Sequence, residues 1–137
     1  MKLTRLIRES IKDGRSEAYI ALLEDWGRWA SYRAGGPQGY AGGTPGETPR
    51  FIDDESALQI ERALATLRRT FPRLLLVFLW HYKSGMDADD IEARVRGYMW
   101  GWDYELNHYH CGYAAIEEML KRAELKVLEK LKEFEND

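Results

Sequence analysis

Cysteine occurs once in this 137-residue chain, at Cys111, so no disulfide within the chain can staple it. Stability has to come from burial, and the redox pattern suits a reducing cytoplasm. Long apolar runs are also missing. The longest, Leu74 to Trp80, falls far short of the roughly 20 residues that span a bilayer. The N-terminal stretch MKLTRLIRESIKDGR is charged throughout and lacks the apolar core of a signal peptide. A cytoplasmic protein without a membrane segment is therefore expected. Charge of one sign is lacking too: the net is −3, so the chain as a whole is not a polycation that coats nucleic acid. Proline is scarce, with three of four residues inside one loop and the fourth at Pro72.

What is present is apolar and patterned. Hydrophobic residues make up 45% and aromatics 12% of the chain, which excludes a disordered polymer. At this length a single domain with a sizeable core is expected over 1–137. Charge is unevenly spread. Residues 58–84 hold Arg62, Arg68, Arg69, Arg73 and Lys83 against Glu61 alone, a net of +4. Local basic faces bind phosphate even when the total charge is acidic.

Periodicity of three and four predicts helices and no strand. Leu3, Leu6, Ile7 and Ile11 mark a helix over 2–12, ended by Asp13-Gly14. Ile20, Leu23, Trp26 and Ala30 mark a second, from Ser16 to Gly35-Gly36; both helices fall in 1–34. The segment 35–52 contains six Gly and three Pro within GGPQGYAGGTPGETPR and is a loop, functional or simply a linker. Residues 53–96 follow. Asp53-Asp54-Glu55 caps a helix whose apolar stripe is Ala57, Ile60, Ala63, Leu64 and Leu67. Pro72 stands at a first helical turn. The last helix, 113–134, repeats Ile116, Leu120, Ala123, Val127 and Leu131, widened by Met119, Leu125 and Leu128. The fold class is all-α with a long C-terminal helix.

Within this frame, FPRLLLVFLWHYKSGMDADDIEARVR (Phe71 to Arg96) reads as the first half of a helix-turn-helix. Gly85 lies in the turn, where positive φ is wanted, and Asp87 opens the next helix. Such units place a following helix in the DNA major groove.

Taken in order, these residues resemble the antitermination Q proteins of lambdoid phages. The likeness is to the small branch without an obvious four-cysteine zinc finger. The matching features are LEDWGRW (Leu23, Trp26, Gly27, Trp29), Gly39-Tyr40 in a Gly/Pro loop and the acidic-capped helix Asp53 to Leu67. The run Leu74 to Val95 is similar to region 4 of sigma factors. The resemblance spans most of residues 20–96. It implies a non-enzymatic transcription factor that binds double-stranded DNA at a phage late promoter. It further implies engagement of RNA polymerase held with its sigma factor at a promoter-proximal pause, and read-through of pauses and terminators. The helix-turn-helix, 74–96 plus 113–124, would dock DNA. The N-terminal helices and the loop would contact polymerase near its RNA exit channel. The chain departs from the family pattern after Val95, where RGYMWGWDYELNHYHC intervenes before Gly112 and the next helix carries Glu117 and Glu118.

Residue types then nominate sites. Lys83, Arg94, Arg96, Tyr113, Lys121 and Arg122 are the expected DNA contacts. Tyr40, Trp100, Trp102, Arg68, Arg69 and Arg73 are candidates for a polymerase or other protein interface. The alternate aromatics of the 97–112 insert, Tyr98 to Tyr104, suit stacking on bases, a protein interface or a small satellite core. His81, His108, His110 and Cys111 are zinc-competent types, but their spacing matches no standard zinc signature and packing or surface roles are preferred. No cofactor is expected. No phosphate loop or catalytic dyad is legible, so no enzyme is expected. Two alternatives stay open: a regulator of initiation that dimerises or binds as two copies through the last helix, and an interaction module that has lost DNA binding.

Overall fold

The computed structural model describes residues 2–12, 16–33, 52–96 and 113–136, and every regular element in them is a helix. Helix α1 is Arg5–Ser10, α2 Glu17–Arg33, α3 Asp54–Thr70, α4 Pro72–Tyr82, α5 Ala88–Arg96 and α6 Tyr113–Asn136. The Gly/Pro loop and the aromatic insert, with Tyr40, Trp100, Trp102, His108, His110 and Cys111, lie outside the described residues. So do Asp13-Gly14 and Gly35-Gly36, where the sequence predicts the first two helices to end.

Helix α1 starts later than its periodicity suggests, and the reason is tertiary. The Gln59 side chain grips the preceding backbone from both sides. Its Nε2 donates to the Lys2 carbonyl, and its Oε1 accepts from the Thr4 N–H, both at 3.0 Å. The chain before α1 is thus held out of the helix, with Thr4 extended, and the Thr4 hydroxyl accepts from the Ile7 N–H as the N-cap. Leu3, Ile7 and Ile11 are buried, whereas Leu6, expected on the same stripe, is exposed.

Helix α3 opens as expected. Asp53 Oδ2 accepts from the Ser56 N–H at 3.1 Å and Oδ1 from the Ser56 hydroxyl at 2.7 Å. Burial pushes this carboxyl upward, but the bonds from Ser56 prevail and hold it below its ordinary value. All five residues of the predicted α3 stripe are buried. Phe71 breaks the helix and Pro72 starts α4, giving a tight α3–α4 hairpin. On α4, Leu74, Leu75, Val77 and Phe78 face the core and Leu76 faces out.

Helix α6 packs on α3, α4 and α5. It buries Ile116, Met119, Ala123, Val127, Leu128 and Leu131, while Leu125, expected to widen that stripe, is exposed. One core cluster draws buried side chains from all six described helices. Across it, α2 and α4 approach each other backbone to backbone. A Cβ added at Gly27 would overlap the Tyr82 carbonyl oxygen, so only glycine permits this approach. Trp26 packs on Phe78 with ring centroids 5.8 Å apart, and Phe78 on Tyr82 at 4.7 Å. Trp26 and Trp29 are both core, as their shared helical face suggests, and the Trp29 indole N–H donates to Asp54 Oδ1 at 2.7 Å.

A buried polar junction ties three helices together. The Tyr82 hydroxyl donates to Glu124 Oε2 at 2.6 Å, and the Tyr19 hydroxyl to the Glu124 carbonyl at 2.5 Å. Burial first, and the Glu124 carboxylate second, push the Tyr82 hydroxyl far above its ordinary value. The neutral phenol is therefore the form that the fold uses. This junction joins α2, α4 and α6.

Candidate nucleic-acid interface

The α4–α5 turn is built by local bonds. The Lys83 and Ser84 N–H groups both donate to the Leu79 carbonyl, at 2.9 and 3.1 Å, and the Met86 N–H returns to the Trp80 carbonyl at 2.9 Å. Gly85 has φ +72°, a left-handed conformation that a side chain would strain. His81 Nδ1 lies 2.9 Å from the Met86 carbonyl. A carbonyl only accepts, so that ring nitrogen carries the proton. His81, one of the zinc-competent residues, thus fastens the turn and stacks edge-on against Tyr82.

Helix α5 is capped reciprocally. The Asp90 N–H donates to Asp87 Oδ1 at 2.9 Å, and the Asp87 N–H to Asp90 Oδ2 at 3.3 Å. Ile91 and Val95 point into the core, as their spacing predicts. Arg94 lies exposed at the edge of that buried face, with its guanidinium 5.3 Å above the Trp80 ring. The stacking steers a long side chain without neutralising it.

Helix α6 lies against both α4 and α5. Its first buried residues, Ala115, Ile116 and Met119, leave Glu117, Glu118, Lys121 and Arg122 exposed. The two acids precede the two cations by four residues each, the spacing at which Glu and Lys or Arg favour one another on a helix. Arg94 on α5 and Lys121 and Arg122 on α6 are thus exposed cations on two helices that pack against each other. Arg96 and Tyr113 are the end residues of α5 and α6, and their side chains lie outside the described set.

The other basic candidates lie around the α3–α4 hairpin and the end of α4. Lys83 is exposed and lines a groove between α3 and α4 together with Arg68, whereas Arg94 stacks on Trp80. Arg68 and Arg69 are exposed in the last turn of α3, where cations complement the helix C-terminus, and Arg73 sits in the first turn of α4. All three flank the hairpin bend at Phe71, whose ring is capped by Lys126 of α6 at 4.9 Å.

Sequence reasoning missed the Tyr19–Glu124–Tyr82 junction. The signal was present: Glu124 interrupts the apolar stripe between Ala123 and Val127. It also missed Gln59, a polar residue adjoining the apolar stripe of α3 that shapes the α1 entry. Among the described residues no group of three or more His, Cys, Asp or Glu side chains is arranged as a metal site. None of the described helices is long and apolar enough to cross a membrane. Comparison of the chain with protein-family models, curated proteins and solved structures finds no match.

Proposed function

We propose that this protein is a non-enzymatic transcription antitermination factor of the phage Q type, acting in the bacterial cytoplasm on double-stranded DNA and RNA polymerase. The observation that supports the reading is the α4–turn–α5 unit with α6 packed against both helices, and with Arg94 exposed on α5 and Lys121 and Arg122 exposed on α6. Cations so placed neutralise phosphates and set the orientation of a duplex against the domain. Arg96 and Tyr113, at the ends of α5 and α6, are assigned to the same role on the strength of the sequence. Arg68, Arg69 and Arg73, around Phe71, then serve the polymerase side.

The decisive experiment is single-round transcription from a late-type phage promoter with a downstream intrinsic terminator. Read-through that depends on promoter-proximal DNA is the expected result. Unchanged termination with altered initiation would identify a conventional regulator instead. Glu117 and Glu118 beside the proposed DNA face favour the interaction-module alternative, and salt-insensitive DNA binding would support it.

A further inference from the structure

Lys83 and Arg68 meet at a feature that the DNA reading does not use. Between α3 and α4 runs a groove with a cavity of about 330 Å³, lined by Trp26, Leu64, Ala65, Leu75 and Leu79, with Glu61, Arg68 and Lys83 as its charged residues. Because α3 and α4 form a hairpin, positions 68, 64 and 61 descend one wall opposite 75, 79 and 83 on the other. The helical rise from Leu75 to Lys83 makes the groove about 12 Å long at roughly 1.5 Å per residue. That length accommodates two apolar side chains one helical turn apart.

Two observations specify the occupant, and a third supplies a reporter. The lining is apolar along its middle, so the ligand carries apolar side chains. Cations outnumber the single carboxylate, so the ligand is acidic. Trp26 is 2% exposed, and its indole N–H has no hydrogen-bond partner among the described residues. The indole nitrogen is itself shut off from solvent, so in the test below it reports on the groove and is not a contact of the ligand. We propose that this groove binds a short acidic, amphipathic segment of a protein partner. Two aliphatic side chains would seat on Leu64, Ala65, Leu75 and Leu79, and flanking carboxylates would meet Arg68 and Lys83. This assigns Lys83 to protein recognition rather than to DNA. It does not depend on the DNA-docking surface of α5 and α6.

The test uses the full chain, labelled with ¹⁵N, and the capped peptide acetyl-Asp-Leu-Ala-Ala-Leu-Glu-Asp-amide. Saturable binding with displacement of the assigned Trp26 indole N–H resonance is expected. The double variant Arg68→Ala/Lys83→Ala removes only exposed cations, so it should keep wild-type circular dichroism while binding about tenfold more weakly. A Leu79→Glu variant, which places a charge in the lining, should abolish binding. Absence of any Trp26 indole shift up to about 1 mM peptide, the weak end of specific affinities, would overturn the proposal. So would equal affinity of the double variant, an equal response to sodium acetate, or self-association of the wild-type chain through the same groove. DNA binding measured in parallel by the double variant should be unchanged, so failure here and failure of the DNA reading are separable.

Discussion

The α4–α5 segment is held in different ways on its inward and its outward side. Where α4 meets α2 and α6, packing is tight and buried: glycine against backbone at Gly27 and Tyr82, and a phenol against a carboxylate at Tyr82 and Glu124. Where α4 turns into α5, the bonds are local and solvent-facing: backbone turns, the Asp87–Asp90 cap and Arg94 over Trp80. The first region fixes the helices relative to each other. The second presents charge. Substitutions in the first should weaken stability, and those in the second should weaken binding in a protein that still folds.

The sharpest way to break that contrast is Gly27→Ala. Alanine improves helix propensity by roughly 1 kcal/mol. Yet its Cβ would overlap the Tyr82 carbonyl oxygen and sit 2.7 Å from the carbonyl carbon, atoms of backbone that cannot swing away. The clash wins, and urea unfolding should show a loss of about 3 kcal/mol. An unchanged midpoint would mean that α2 and α4 are not this close.

Tyr82→Phe comes next. It removes the phenol that donates to Glu124 Oε2, at a cost of roughly 1–3 kcal/mol near neutral pH. Its pH dependence is diagnostic. The Tyr82 hydroxyl is raised above its ordinary 10.0 in the fold, so its contribution is complete below that pH. As pH climbs past 10, the unfolded phenol ionises while the native one does not, and the contribution is progressively lost. The stability gap between wild type and Tyr82→Phe should therefore narrow above that point. A constant gap would show that the hydroxyl is not buried against Glu124.

A smaller effect is expected at the outward turn. Asp87→Ala removes the α5 cap and should cost about 1 kcal/mol. Amide exchange should rise in α5 alone, and a uniform rise over the molecule would contradict the local character of this region. Smallest in stability is the charge reversal Arg94→Glu with Lys121→Glu and Arg122→Glu. Unfolding should move by about 0.5 kcal/mol or less per site, because all three are exposed. DNA affinity should fall, and the slope of log affinity against log salt should shrink by about 1 for each phosphate no longer neutralised. Unaltered affinity and slope would remove this surface from the DNA reading.

Much of this architecture is legible in the sequence. The α3 stripe, the Asp53 cap, Pro72 at the start of α4, Gly85 in the turn, and Ile91 and Val95 facing inward all follow from local rules. Spacing selects a face, and caps and glycines set the ends. The misreadings fall where position on a helix does not decide burial. Leu6 and Leu125 are as apolar as their buried neighbours, but they lie on sides of α1 and α6 that no other described helix covers. The candidate site was readable as a set of residue types and not as a grouping. Lys83 and Arg94 lie on either side of the same turn, yet one lines a groove and the other covers a tryptophan.

Local chemistry in the chain thus settles that the protein is helical, where most of its described helices begin, and which stripe of each is apolar. Those properties depend on neighbours three or four residues apart. Partners distant along the chain settle the rest. Gln59 redraws the start of α1 from 55 positions away, Glu124 joins Tyr19 and Tyr82 across 105 and 42, and Gly27 is required by a carbonyl on another helix. Such pairings carry no periodic signature. A glutamate in an apolar stripe or a glycine inside a helix marks an anomaly, and only the packed structure shows which atom, on which neighbouring helix, accounts for it.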